Sequence, residues 1–397
     1  MASYLAPGVY VEETPPGARP ISAVGTSTAA FLGVAPDADA KPGAPVAISS
    51  WSAFVAAFAA DTLAAAKAAR AKDAAAPPPP GNVLASAVFG FFQNGGGYCH
   101  VVNLGRDADE VTPDHLAPLD AIAGISLIAA PGFCDPASVA AISADCDRRK
   151  DRFAIFDAPR DFASVEALTQ SSDKGEGGLR PPTSDKGRAA IYAPWIEARD
   201  PISGARAAQP PSGHMAGLYA RTDAERGVHK APANAGLAGA LGLTRAISAE
   251  EQAILNPAGI NCIRSFSDGI RVWGARTLAE ESSEFRYVPV RRLTTMIALS
   301  VERGVRWVVF EPNDVTLWKS IRRDIGAFLH TLWRDGALAG AKPEDAYFVK
   351  CDAETTTQAD IDAGRVVALI GIAPVRPAEF VILRIGQTAG RAEIEEG

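Results

Sequence analysis

Two carboxylates stand where an α/β protein would place reactive groups. Asp135 and Asp157 each follow the end of an expected parallel strand, the position at which open α/β sheets present functional side chains. A pair of acids there could attack a phosphate or glycosidic bond by general acid and base catalysis. That chemistry needs a positioned nucleophile or a metal, and the flanking sequence supplies neither. The five histidines, His100, His115, His214, His229 and His330, are scattered, with no HExxH and no cysteine at ligand spacing. The turn after the first expected strand reads Leu32-Gly33-Val34-Ala35-Pro36-Asp37, not the GxGxxG of a dinucleotide site. Gly95-Gly96-Gly97 precedes a strand and does not open a helix, so it cannot offer helix N–H groups to phosphate. Neither a P-loop nor GxSxG is present. The aspartates read as turn and loop caps, and no catalytic, metal or cofactor residue is expected.

Composition points the same way. The 397 residues are 47% hydrophobic and 21% charged, a globular profile long enough for two or three domains. A net charge of −7 argues against nucleic acid as a partner. The longest apolar stretch, Ala121 to Phe133, falls short of the ~20 residues of a membrane span. Met-Ala-Ser-Tyr-Leu-Ala-Pro-Gly has no basic region followed by an apolar core, so no secretion signal is expected. Five cysteines without CxxC spacing (Cys99, Cys134, Cys146, Cys262 and Cys351) read as reduced thiols of a chain made in the cytoplasm.

The elements that would hold such residues alternate. Strands are expected at 27–33, 98–104, 125–130, 153–158 and 189–193, and helices at 50–58, 82–93, 136–149 and 162–168. This order implies an α/β domain with a largely parallel, two-sided sheet. Residues 64–80 (Ala/Lys, then four prolines) read as a surface excursion, 170–186 as an exposed loop and 198–235 as loop-rich. From about Gly269 a further α+β unit is expected, with strands at 270–278, 305–311, 346–351 and 365–373 and helices at 290–303 and 317–334. On the last helix Leu317, Ile321, Ile325, Phe328 and Leu332 form an apolar stripe, and Lys319, Arg323, His330 and Arg334 lie opposite. That basic row reads equally as a solvated face or as a docking surface for an acidic partner.

The chain ends differ from the rest. Val9, Tyr10, Val11 and Glu12 form a short strand followed by Pro15, Pro16 and Pro20, a stiff spacer. Phe380, Val381, Ile382, Leu383, Arg384 and Ile385 form a strand apolar on both faces beyond Pro374 and Pro377. Each looks like an arm that must enter a sheet elsewhere.

With those ends in view, the sequence resembles the contractile tail sheath family. The resemblance rests on Pro7-Gly8-Val9-Tyr10-Val11-Glu12-Glu13, Phe91-Phe92-Gln93-Asn94-Gly95-Gly96-Gly97 and Leu255-Asn256-Pro257-Ala258-Gly259-Ile260-Asn261. Ile270-Arg271-Val272-Trp273-Gly274-Ala275-Arg276-Thr277-Leu278, Tyr287-Val288-Pro289-Val290-Arg291-Arg292, Phe310-Glu311-Pro312-Asn313 and Pro377-Ala378-Glu379-Phe380-Val381-Ile382 follow in order. It implies a structural, non-enzymatic subunit that stacks in hexameric discs around an inner tube and contracts to drive that tube through a target envelope. It also implies arms at 1–20 and 377–397 that exchange strands between neighbours, an outer domain at 21–265 and an inner domain at 266–376. The implied partners are further copies of the chain, the inner tube protein, and baseplate and terminal cap proteins, with no cofactor and no membrane insertion. The row of Lys319, Arg323, His330 and Arg334 would then face the inner tube. Made in the bacterial cytoplasm, the chain would end in a phage-tail-like particle, virion or released. An oligomeric α/β enzyme with swapped termini is the alternative.

Overall fold

The computed structural model describes residues 20–173, 177–380, 384–388 and 391–395. Two compact units divide it: Val24–Met296 with the described part of Pro374–Gly397, and Ile297–Ala373 with residues 20–23.

The larger unit is built on nine strands. In chain order these are β1 (Ala29–Gly33), β2 (Pro45–Ile48), β3 (Cys99–Asn103), β4 (Leu127–Ala129), β5 (Phe153–Asp157), β6 (Ala189–Ala193), then β9 (Ala235–Gly236), β11 (Ile260–Phe266) and β12 (Gly269–Trp273). Their order across the sheet is β2-β3-β1-β4-β5-β6-β11-β12-β9. The six from β3 to β11 run parallel, while β2 at one side and β12 and β9 at the other are antiparallel additions. The expected α/β sheet is thus present, extended by antiparallel edges. A separate three-stranded sheet in the order β10-β7-β8 joins β7 (Ile196–Arg199), β8 (Arg206–Gln209) and β10 (Ala240–Leu243).

Both faces are covered because the central strands are apolar on both. In β1, Phe31 belongs to one core cluster and Ala30 and Leu32 to the other. The first face packs α1 (Trp51–Phe58), α3 (Val83–Gln93) and α7 (Ser212–Arg226), and α2 (Ala60–Lys72) lies exposed beside them. The second packs α4 (Pro113–Leu116), α5 (Pro136–Arg149), α6 (Val165–Thr169) and α8 (Ala249–Leu255). Caps fix the starts: Ser50 Oγ accepts from Ala53 N–H at 3.2 Å, and Asn82 Oδ1 from Ala85 N–H at 2.8 Å.

Three expectations change. Residues 198–235, expected to be loop-rich, contain β8 and the fifteen-residue α7, whose residues from Ser212 to Ala220 are all buried. Pro210, Pro211, Gly213 and Gly217 look like breakers, but the two glycines serve close helix packing. A Cβ at Gly213 would stand 2.4 Å from Ala87 Cα of α3, and one at Gly217 2.4 Å from the Phe91 carbonyl oxygen. The strand expected over 305–311 is instead a 3-10 turn at Arg306–Val308. Hydrogen bonds from Val305, Val308, Val309 and Glu311 N–H to carbonyls three or four residues back use up the donors a ladder would need. The strand expected over 270–278 stops at Trp273, because the backbone of Arg276 to Leu278 bonds instead to Asn261, Arg286 and Ala189.

The smaller unit holds the second half of α9 (Val288–Gly304), α10 (Val315–Arg334) and a two-stranded antiparallel ribbon, β13 (Tyr347–Lys350) with β14 (Leu369–Ile372). Past the proline segment, β15 (Arg384–Thr388) pairs antiparallel with β16 (Arg391–Glu395).

Candidate assembly surfaces

The two aspartates are committed to the backbone. Asp135 caps α5 by accepting from Ser138 N–H at 2.8 Å. Asp157 is 5% exposed, and its oxygens accept from Ser212 N–H and Ser212 Oγ at 2.7 Å and from Gly132 N–H at 3.2 Å. Burial pushes its carboxyl up to about 7, against the pull of those donors. A 680 Å³ cleft opens between the carboxyl ends of β1 and β4, where the strand order reverses. Asp135 lines it with Gly33, Gly81, Arg160 and Trp195, but that carboxylate faces its helix cap, and Trp195 Nε1–H donates to the Ala158 carbonyl at 2.7 Å. Among the described residues no group of three or more His, Cys, Asp or Glu comes together as a metal site. His214 is buried against α3, and desolvation lowers its pKa to about 4, so it sits neutral. All five cysteines are free thiols, and burial raises those of Cys99 and Cys262 to about 12. Among the described residues no single helix is long and apolar enough to cross a membrane.

The basic row of α10 is partly as expected. Lys319, Arg323 and Arg334 are exposed, whereas His330 is half-buried, its ring 5.3 Å from Trp333 and its Nδ1 3.3 Å from the Tyr347 hydroxyl. Arg323 Nε also donates at 3.0 Å to Asp324, a buried carboxylate on the apolar face that the wheel left out. Leu317, Ile321, Ile325 and Phe328 are buried as expected, with Trp318 and Leu329 beside them.

Of the two arms, Val9–Glu12 lies outside the described residues, as do Val381–Leu383. Phe380 is 75% exposed, and Arg384 and Ile385 lie in β15, which runs on to Thr388. Among the described residues β15 pairs with β16 alone.

Two buried ion pairs secure the roots of these ends within the larger unit. Arg276, 4% exposed, grips Glu379 with Nε at 2.9 Å and Nη2 at 2.5 Å, and its Nη1 donates to the Asn256 carbonyl. Arg292 donates through both Nη atoms to Asp223 (2.9 and 2.5 Å) and from Nη2 to the Thr26 carbonyl at 2.8 Å, while Thr26 Oγ1 bonds Asp223 at 2.6 Å. The Arg292 guanidinium also lies 4.7 Å from the Tyr219 ring centroid. The flanking blocks contain Arg276, Arg292 and Glu379, yet partners 69 to 103 residues apart carry no local signal.

In the smaller unit the ribbon carries Phe348 at 58%, Leu369 at 51% and Ile370 at 37% exposure. Among the described residues each of its two strands has one hydrogen-bonding edge without a strand. This combination marks a protein built to associate.

Comparison with known proteins gives that class its family. The phage tail sheath central domain matches residues 110–278, and the phage tail sheath C-terminal domain matches 280–388. The sheath complex of the PVC extracellular contractile injection system, in its contracted state, is 32% identical, covers 98% of this chain and 99% of its own, and superposes with a TM-score of 0.77. The helical sheath of the anti-feeding prophage, also contracted, is 34% identical over 97% of this chain and all of its own, with a TM-score of 0.76. A prophage major tail sheath protein of Pseudomonas aeruginosa is 26% identical over 268 residues, covering 66% of this chain and 64% of that one. The chain belongs to the phage tail sheath family. Its role is that of a structural sheath subunit of a phage-tail-like contractile system, not an enzyme, and the alternative of an oligomeric α/β enzyme is set aside.

Proposed function

We propose that this subunit polymerises as stacked hexameric discs around an inner tube and shortens to drive that tube through a target envelope. The observation that carries the reading is the β13–β14 ribbon, an exposed two-stranded sheet with apolar side chains and room for a strand on either side. Isolated two-stranded ribbons are marginal in water, and added strands supply both ladder hydrogen bonds and apolar cover. The arms at Val9–Glu12 and Phe380–Ile385, taken from neighbouring copies, are the strands proposed to complete it. Unit 297–373 then forms the inner lattice, and Lys319, Arg323, His330 and Arg334 face the tube. Contraction re-angles the subunits about the proline leashes at Pro15/Pro16/Pro20 and Pro374/Pro377 while the strand links stay closed. New burial between the larger units supplies the energy. The remaining partners are baseplate and terminal cap proteins, and the site of action is a phage-tail-like particle assembled after synthesis in the cytoplasm.

Deleting residues 1–14, or ending the chain after Glu379 so that the buried Arg276–Glu379 pair is kept, tests this. Each product should stay folded by circular dichroism yet form no tubes under electron microscopy. Normal tubes from either deletion would refute the exchange of strands.

A further inference from the structure

An 840 Å³ groove runs along the larger unit between α8, β12, the 229–234 loop and the segment from Val375 to Phe380. Its lining is cationic: Arg226, Lys230, Arg264 and Arg376 contribute positive charge, and Trp273 and Phe380 add exposed rings. Glu379 is the only carboxylate among the described lining residues, and both its oxygens are held by Arg276. Arg226 and Arg376 are exposed, with no carboxylate partner among the described residues. Lys230 is half-buried, its pKa lowered first by desolvation and then by Arg226. Arg264 is partly offset by Glu250 on α8, so the excess positive charge rests on Arg226, Lys230 and Arg376, and such a trough with an aromatic rim suits an acidic segment.

The same unit presents such a segment elsewhere. Asp107, Asp109, Glu110 and Asp114 are all exposed on the loop between β3 and the first turn of α4. The cation among them, Arg106, is taken by Asp39 at 2.9 Å. This loop follows β3, next to one edge of the nine-stranded sheet, whereas the groove lies against β12, next to the other. The two strands are six steps apart in the sheet, about 29 Å at the usual strand spacing. Opposite charges at opposite edges cannot satisfy each other within one molecule. They can between molecules, head to tail, and such heterologous contacts propagate into rings or helices.

We propose that the acidic 105–114 loop of one copy docks in the Arg226/Lys230/Arg264/Arg376 groove of the next, a second inter-subunit contact separate from the strand arms. It rests on the reading that copies of this chain polymerise, but not on strand exchange.

The test uses two full-length variants, Asp107→Lys/Asp109→Lys and Arg226→Glu/Arg376→Glu. Each alone should keep the parental melting temperature but associate roughly tenfold more weakly, the scale expected on losing two or three charge contacts. Mixed one to one, the reversed loop meets the reversed groove and each unreversed loop an unreversed groove, so association in sedimentation velocity should return to near the parental level. Raising salt to about 0.5 M should shrink the difference. A mixture no better than either variant alone overturns the proposal. That outcome is distinct from failure of strand exchange, which would show as normal tubes from the arm deletions. Association of the mixture above that of either variant alone upholds the loop–groove contact whether or not the arms exchange.

Discussion

The seven strands from β3 to β12 across the sheet each have a strand on either side, and the sheet they belong to buries apolar residues on both faces. Among the described residues β13 and β14, in the smaller unit, have one neighbour each and leave Phe348, Leu369 and Ile370 in solvent. The first arrangement has satisfied its backbone and apolar surface within one chain, and the second has not. A polymer subunit needs both: a body that keeps its shape while the lattice moves, and a joint whose hydrogen bonds are closed by other copies. Substitutions in the body should therefore remove folding, and substitutions at the joint should remove assembly alone.

The largest effect is expected where α3 and α7 touch through glycine. Gly217→Val would drive a side chain into the Phe91 carbonyl, backbone that cannot swing aside. The cost should exceed the ~1–3 kcal/mol usual for overpacking, and little soluble, folded chain should be recovered. A protein that folds normally with Val at 217 would show the body to be looser than this packing implies.

The Arg292–Asp223 pair comes next. Both side chains are nearly inaccessible, at 4% and 7% exposure, so removing one leaves a buried charge unmatched at a cost of ~3–5 kcal/mol. Asp223→Leu or Arg292→Met alone should be strongly destabilised in urea unfolding. The double variant should recover much of that loss, since neither charge then remains. If the double loses as much as the two singles summed, the side chains act independently and the clamp is not a unit.

Much of this body was legible from sequence because its signals are local. Ser50 and Asn82 announce helix starts, Pro136 sits at the first turn of α5, and apolar runs mark β1, β3 and β5. The sheet's parallel centre follows from their alternation with helices. What escaped depends on distant partners. Residues 260–266 join β6 and β12 as β11, whose order in the sheet no nearby residue declares. The glycines of α7 are breakers by propensity and helix-packing residues by context. For the candidate surfaces, the wheel placed Lys319, Arg323 and Arg334 outward, but could not see His330 reach Tyr347 or Asp324 enter the core.

A gentler probe of the body is pH. The Asp157 carboxyl is raised from 3.8 to about 7 by burial, so across that interval the folded chain binds more of this proton than the unfolded one. This group's contribution is fully present below about pH 4 and lost as pH rises toward 7. Relative to Asp157→Asn, the parent should lose stability over that range in urea unfolding of the unassembled chain. A relative gain would mean the bonds from Ser212 and Gly132 outweigh desolvation and hold the carboxyl ionised.

The smallest effect on the folded subunit should come from the outer face of α10. Arg323 is unsuitable for charge reversal, because its Nε bonds Asp324 and a glutamate there would face a buried carboxylate. Lys319 and Arg334 are exposed and carry no such duty. Lys319→Glu/Arg334→Glu should therefore change monomer stability by no more than about 0.5 kcal/mol, the usual range for surface positions. If this face touches an acidic inner tube, the reversal replaces attraction with repulsion at contact distance, well inside the ~8 Å over which physiological salt screens charge. Sheath formed in the presence of tube protein should then be scarce or short, while sheath formed by the subunit alone is unaffected. Equal loss in both preparations would assign the face to contacts between sheath subunits. Normal assembly in both would leave it a solvated helix surface, and the smaller unit's exposed features would then reduce to its open ribbon.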